Sequence, residues 1–362
     1  MRRTPALIVG GALSGSAAAI GLARGGVRPL VLERTRETGD ALCGGFLSWR
    51  TLERLRTLGV DPDELNERRV TRVHVFAGAR EVEAPLPHPS LAVSRRRLDT
   101  VLLRLAERAG AAVERGVVVR SAAPGAVTLA DGGTVETDAL FLATGKSDLR
   151  GLARPTPGAD DDPALGLRIR LRPSASERRR IEDAIELHLF DRGYAGLAVQ
   201  EDGSANLCLA VARSRLHEAG SPERLLQAIA AEAPVFAERL DAREDGAAID
   251  AVANVPYGWR MTTGEAGLFR LGDQAAVIPS LAGEGMGIAL AGGCSAAAAY
   301  LHGGPDAAEA WQRRFARRAA RPVRVARLVR DIAEGPLAPP ALPWLARAPV
   351  LIQLLARATR IA

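Results

Sequence analysis

Residues 5–15 read Pro5-Ala6-Leu7-Ile8-Val9-Gly10-Gly11-Ala12-Leu13-Ser14-Gly15, and this stretch decides the fold. Its apolar start, 5–9, reads as a buried strand. A glycine-rich turn follows at 10–15, and 14–24 (SGSAAAIGLAR) reads as a helix whose small side chains let it lie close to a sheet. Residues 28–33 (RPLVLE) read as a second strand, parallel to the first because a helix separates them. A pyrophosphate asks for this arrangement: a tight turn, backbone that can approach closely, and a helix N-terminus aimed at its charge. Gly10 supplies the turn and Gly15 lets the helix sit on the strand. Gly10, Gly11, Ala12, Ser14 and Gly15 are thus candidate phosphate contacts, although Ala12 stands where the GxGxxG pattern has its second glycine. Glu33 closes the second strand 23 residues after Gly10, where a carboxylate can accept hydrogen bonds from a ribose diol. Arg34 follows it in the candidate set. The plainer reading of Glu33 is a surface glutamate at a strand end.

A second constellation lies far downstream. An apolar strand at 267–271 (GLFRL) runs into Gly272-Asp273, and then Pro279-Ser280-Leu281-Ala282-Gly283-Glu284-Gly285-Met286-Gly287 opens a small-residue helix over 284–300. Asp273 can bind a ribityl hydroxyl. Gly285, Met286 and Gly287 can offer backbone N–H groups to the pyrimidine end of an isoalloxazine, where negative charge gathers on reduction. Together the two constellations point to FAD, where either alone is also explained by a glycine-rich turn before a packed helix.

Between them the chain reads as α/β. Residues 49–59 and 95–109 are helical; 70–76, 80–84, 112–119 and 138–143 are strands; 126–136 is a hairpin. The Gly-, Pro- and Asp-rich segment 151–163 marks a crossing into a second sheet with strands at 165–171, 184–190, 195–200, 205–212 and 249–254. Helices occupy 221–240, interrupted at Pro234. The expected architecture is a Rossmann-like FAD-binding domain (1–70, 91–150 and 262–310), an inserted mixed-sheet substrate domain (71–90 and 151–261) and a helical C-terminal tail (311–362). In the tail, the Pro-rich stretch 335–343 should break the helix before a last apolar segment at 344–360.

Composition narrows the function. The 362 residues are 47% hydrophobic and 25% charged, the profile of a packed globular protein. The net charge of +6 rests almost wholly on arginine, since Lys146 is the only lysine. No basic, aromatic-laced stretch accompanies it, so no nucleic-acid partner is expected. Cys43, Cys208 and Cys294 are odd in number and widely spaced, which argues against disulfides or zinc and fits a reducing compartment. The five histidines never take metal-ligand spacing, and no metal is expected. No leader and no run of 18 apolar residues stands out, so the expectation is a cytoplasmic protein.

The pairing of the N-terminal turn with the late GD…PxxGxGxxxA run resembles the flavoprotein family of para-hydroxybenzoate hydroxylase and geranylgeranyl reductase, over roughly residues 5–300. Ser94-Arg95 with Leu98-Asp99 resembles that family's SRxxLD segment, which implies that Arg95 contacts the pyrophosphate region of FAD. Ala41-Leu42-Cys43-Gly44-Gly45-Phe46-Leu47-Ser48 resembles the CGxGxS segment of geranylgeranyl reductases, near the flavin. Gly193-Tyr194-Ala195-Gly196-Leu197 resembles the GYxG strand of the substrate sheet, and Asn254-Val255-Pro256-Tyr257-Gly258 is similar to a stretch in flavoproteins found beside polyketide synthases. Two departures stand out. The middle Asp-Gly motif reads Ala143-Thr144-Gly145-Lys146, and the WxWxIP motif of flavin halogenases is absent, which sets halogenation aside.

The resemblance implies a monooxygenase that uses NADPH or NADH and oxygen on a hydrophobic phenolic or polyketide-like molecule. Its alternatives are an alkene reductase acting on prenyl lipids and a non-catalytic flavin-binding partner at a membrane. Phe46, Trp49, Tyr194, Trp259 and Pro279 are candidate pocket walls, and the aromatic ones are equally well explained as core. Cys43 is the one candidate for a chemical role beside the flavin, against the plain reading of a small buried thiol. Lys146 either pairs with a phosphate or carboxylate or solvates a loop. Seven arginines between Arg313 and Arg327 recur at helical steps. With the amphipathic end they suit peripheral membrane contact, or else a solvated face and a packed helix.

Overall fold

The computed structural model describes residues 2–155 and 162–361. The crossing expected at 151–163 therefore lies partly outside the described residues.

The first strand, Arg2–Val9, sits inside a seven-stranded sheet. Leu30–Glu33 flanks it on one side and Thr134–Leu142 on the other, both parallel to it, with Ala112–Arg115 beyond Leu30–Glu33. Leu268–Arg270 pairs in parallel with the end of Thr134–Leu142, in register Arg270↔Leu142. The late motif is thereby delivered beside the early one. The helix Leu13–Arg24 and the late helix Gly285–Gly303 cover this sheet and touch backbone to backbone. A side chain at Gly293 would overlap the carbonyl of Ser14, so the small residues of both helices are a packing requirement.

The second sheet has eight strands, in the order Asp250–Val255, Ala164–Leu171, Ala205–Ala212, Gly193–Val199, Ala184–Phe190, Val70–Ala77, Arg80–Ala92 and Phe46–Leu47. It is antiparallel except where Ala184–Phe190 meets Val70–Ala77. Three helices, Ala175–Ile181, Pro222–Glu232 and Pro234–Leu240, lie with a buried core on its outer side. The tail forms helices Ala307–Ala333, Ala338–Arg347 and Pro349–Ala358, then returns to bury Ile361 completely in the main core.

Three local readings change. Residues 112–119 do not make one strand: Gly116 turns the chain at φ +76°, and Val119–Ala123 starts again on the opposite side of the sheet. The strand from Arg80 runs on to Ala92 through three prolines. The Pro-rich stretch 335–343 starts a helix at Ala338, because Pro339 and Pro340 fall in a first turn that needs no backbone N–H.

Candidate active site

At the first turn, Gly10 takes φ +105° and passes so close to the next strand that a Cβ would stand 2.5 Å from the Ala143 carbonyl. A Cβ on Gly15 would overlap the carbonyl of Gly10. The Glu33 carboxylate lies across this turn. One oxygen accepts the Gly11 N–H at 2.8 Å, and the other accepts Thr35 N–H and Oγ1 at 2.9 and 2.8 Å. Ala12 begins the helix with no side-chain cap, and Ala12, Leu13 and Ser14 line a cavity of about 680 Å³. The first N–H groups of a helix have no partner within it, so this end is a donor set facing the cavity.

The second edge is built the same way. Asp273 follows the parallel strand end and meets Lys146, Nζ to Oδ2 3.4 Å, which follows the neighbouring one. Asp273 raises the lysine's pKa against the opposing effect of burial. The late helix also starts without a side-chain cap, and Gly285 and Met286 line the cavity. Its first turn is tied to the end of the chain. The fully buried Glu284 accepts Arg360 at 2.7 Å, Ser48 Oγ at 3.0 Å and the Ile361 N–H at 3.2 Å. Arg360 also donates to the Ala282 carbonyl at 2.9 Å and lies over the Trp49 ring.

Arg95 lines the cavity with its guanidinium paired to the buried Asp99 at 2.8 Å. Cys43 lines it too, and its carbonyl accepts Asn206 Nδ2 at 2.8 Å. The segment before Cys43 is pinned to the substrate sheet by Arg168, which donates to Asp40 at 3.1 Å and to the Ala41 carbonyl at 3.0 Å. Cys208 also lines the cavity, and burial pushes its thiol up to about 12, so it stays neutral.

The inner face of the second sheet forms the cavity floor. Gly166, Gly196 and Cys208 leave room in its middle, while Val73, Val75, Ile185, Leu187 and Leu189 make an aliphatic side. Between them stands a polar junction. Tyr194 and Tyr257 share Ser280 at 2.6 and 2.8 Å, and the Leu281 N–H donates to Tyr194 at 2.8 Å. Burial raises the pKa of both tyrosines, so they face the cavity as neutral hydroxyls.

The expected site residues divide accordingly. Ala12, Ser14, Cys43, Phe46, Arg95, Tyr194, Gly272, Asp273, Gly285 and Met286 come together around the cavity. Gly10, Gly11, Gly15 and Glu33 shape the turn behind it. Arg34 is exposed beyond the strand end. Three wall assignments are corrected. Trp49 is buried against His88 and Arg360, Trp259 lies under Arg154, and Pro279 yields its place to Ile278 and Ser280; none of the three lines the cavity. Gly287 does not line the cavity, and its missing side chain leaves space for the Glu284 carboxylate. Ser280 and Arg360 were not singled out for the site. Ser280 stands in the glycine-rich run 279–287, but nothing local marks Arg360, whose partner is 76 residues away.

The donor set fits FAD. Two uncapped helix N-termini suit a diphosphate and the pyrimidine edge, two carboxylates suit sugar and ribityl hydroxyls, and one cavity joins them.

Comparison with known proteins agrees. Residues 3–150 match the family described as FAD binding domain. The probable electron transfer flavoprotein-quinone oxidoreductase YdiS of Escherichia coli (strain K12) is 32% identical over 161 residues, which is 40% of this chain and 37% of that protein. The chain thus aligns with little more than a third of that relative. Solved structures match nearly throughout. The flavin-dependent brominase Bmp2 has a TM-score of 0.79 at 16% identity, covering 99% of this chain and 93% of that one. A geranylgeranyl bacteriochlorophyll reductase-like protein from Thermoplasma acidophilum scores 0.75 at 20%, covering 100% and 94%. PqsL from Pseudomonas aeruginosa, described as a probable FAD-dependent monooxygenase, scores 0.70 at 16%, covering 92% and 97%. Residues 3–150 thus match an FAD-binding domain, and the chain as a whole has the two-sheet fold of these solved flavoproteins.

Proposed function

We propose that this chain is an FAD-dependent monooxygenase that hydroxylates a hydrophobic phenolic or polyketide-like molecule, drawing electrons from NADPH or NADH. The observation that carries the reading is the Tyr194–Ser280–Tyr257 junction, set where the cofactor end of the cavity meets its aliphatic end. Two neutral hydroxyls there give a phenol a polar anchor, and the aliphatic floor takes the rest of the molecule. Lys146, beside Asp273, favours developing negative charge nearby and eases loss of the phenol proton. The N–H groups of Ala12 to Ser14 would hold the diphosphate with Arg95 near it, Glu33 a ribose, Asp273 the ribityl chain, and Gly285 and Met286 the pyrimidine edge. Bound and reduced, FAD supplies the electrons that activate oxygen for insertion into an electron-rich ring. Gly10 and Gly15 fix the turn, and the tail helices keep bulk water out of the chamber.

A second reading, alkene reduction on a prenyl chain, is favoured by the length of the aliphatic side and by the CGGFLS segment. Oxygen consumption by the FAD-loaded protein with NADPH separates the two. Uptake stimulated by an alkylresorcinol, with one oxygen atom added to the product, is the expected result. Anaerobic saturation of a geranylgeranyl lipid without oxygen uptake would replace the monooxygenase reading with the reductase one.

A further inference from the structure

We propose that the tail helices dock this protein on an anionic lipid surface, so that its substrate enters the cavity directly from the lipid. The observation is one of placement. Eight of the ten exposed large apolar side chains among the described residues fall between Leu328 and Leu355. Trp344 is 70% exposed, Leu337 64%, Leu328 62% and Leu354 53%. Elsewhere among the described residues only Val118 and Leu301 are so exposed, and a monomer seldom leaves so many together in water. Of the eight, all but Leu337 lie on three successive helices, the last of which packs against the other two.

Two further facts choose the occupant. Residues 312–361 carry eleven arginines against two acids, Asp331 and Glu334, and Glu334 is paired with Arg330. Arg347 lies over the Trp344 ring, and Arg321, Arg324, Arg327 and Arg357 are exposed on the helices that carry the apolar side chains. A second copy of the chain would set this cationic rim against itself in a two-fold contact. An anionic lipid surface complements it, and a tryptophan at the rim suits the level of the headgroups. No described helix is long and apolar enough to cross a membrane, so the contact lies in the plane of the interface.

The apolar face is also the doorway. Leu328, Ile332, Trp344 and Leu355 are exposed and also line the cavity. A molecule dissolved in the lipid passes from that surface to the aliphatic floor without crossing water. The inference holds for either substrate class, because it rests on the outside of the tail.

The test is sedimentation of the full-length, FAD-loaded protein with vesicles of phosphatidylcholine alone or mixed with phosphatidylglycerol. The protein should sediment with the mixed vesicles and be released by salt. The variant Leu351→Glu/Leu354→Glu, whose two side chains do not line the cavity, should lose vesicle binding while keeping its flavin. Arg347→Glu/Arg357→Glu should bind the anionic vesicles about tenfold or more weakly and lose the preference for them. Absence of wild-type binding at low salt would overturn the proposal. So would binding that both variants retain, or a concentration-dependent dimer that Leu351→Glu/Leu354→Glu abolishes, since that result gives the face to a second copy.

Discussion

The two ends of the cavity are made from different material. The cofactor end is mostly backbone: two helix starts, the Gly10–Gly15 turn, and strands close enough that a Cβ at Gly10 meets the Ala143 carbonyl. The substrate end is side chain: a floor of valines, leucines and isoleucine, with a roof from the tail. Backbone geometry cannot be adjusted residue by residue, so one end suits one ligand. Apolar side chains can be exchanged at nearly constant volume, so the other end can change its substrate while the fold stays.

The largest expected effect breaks the cofactor end. Gly15→Val drives a branched side chain into the Gly10 carbonyl and should abolish flavin retention, measured as flavin per purified protein. Leu187→Ala at the far end should leave that ratio unchanged. If Gly15→Val purified fully yellow, the contrast between the ends would be wrong.

The next effect lies where the ends are tied together. Arg360→Ala leaves the Glu284 carboxylate buried without its cation, and losing one partner of a buried pair costs about 3–5 kcal/mol. Urea unfolding should show that loss, and an unchanged midpoint would remove the tie.

A similar effect lies behind the floor, where Glu186 is buried with Arg239 at 2.9 Å and His188 at 3.3 Å. Burial alone pushes this carboxyl up, but its partners outweigh that and hold it at about 2, against an ordinary 4.5. The folded pKa is the lower one, so the stability it lends is complete above pH 4.5 and is lost as pH falls toward 2. The shift is worth about 3 kcal/mol. Glu186→Gln should flatten the loss of stability across that window, and a wild-type-like acid limb would show that Glu186 is not its cause.

The smallest effect refines the cofactor end. Asp273→Asn keeps the shape but removes the charge, and a hydrogen bond to a charged group is worth about 1.5–3 kcal/mol, so FAD affinity should fall about tenfold or more. Fluorescence titration of the stripped protein measures it, and equal affinity would take Asp273 out of the cofactor's contacts.

The same contrast explains what could be read from sequence. Gly10, Gly15, Gly272 and Gly285 stand out because backbone-built sites restrict residue type, and their spacing shows them in one dimension. The floor hid in ordinary strands, where Leu187 looks like any buried leucine. The aromatic residues mislead for the same reason: Trp49 and Trp259 stand out by rarity, yet both pack beside arginines and neither lines the cavity. The Glu284–Arg360 tie joins positions 76 apart with no periodicity to announce it. The strand break after Arg115 was lost because Gly116 stands in a run of valines and arginines that otherwise reads as extended chain.

Lys146 carries a practical consequence. It is the only lysine in the chain, and it lies at the cofactor end beside Asp273. An amine-directed reagent therefore has one side-chain target, with the α-amino group as its only rival. Mass spectrometry of the acylated protein becomes a direct meter of that corner: modification of Lys146 should slow when FAD is present, and equal rates with and without it would show that the amine stands clear of the cofactor.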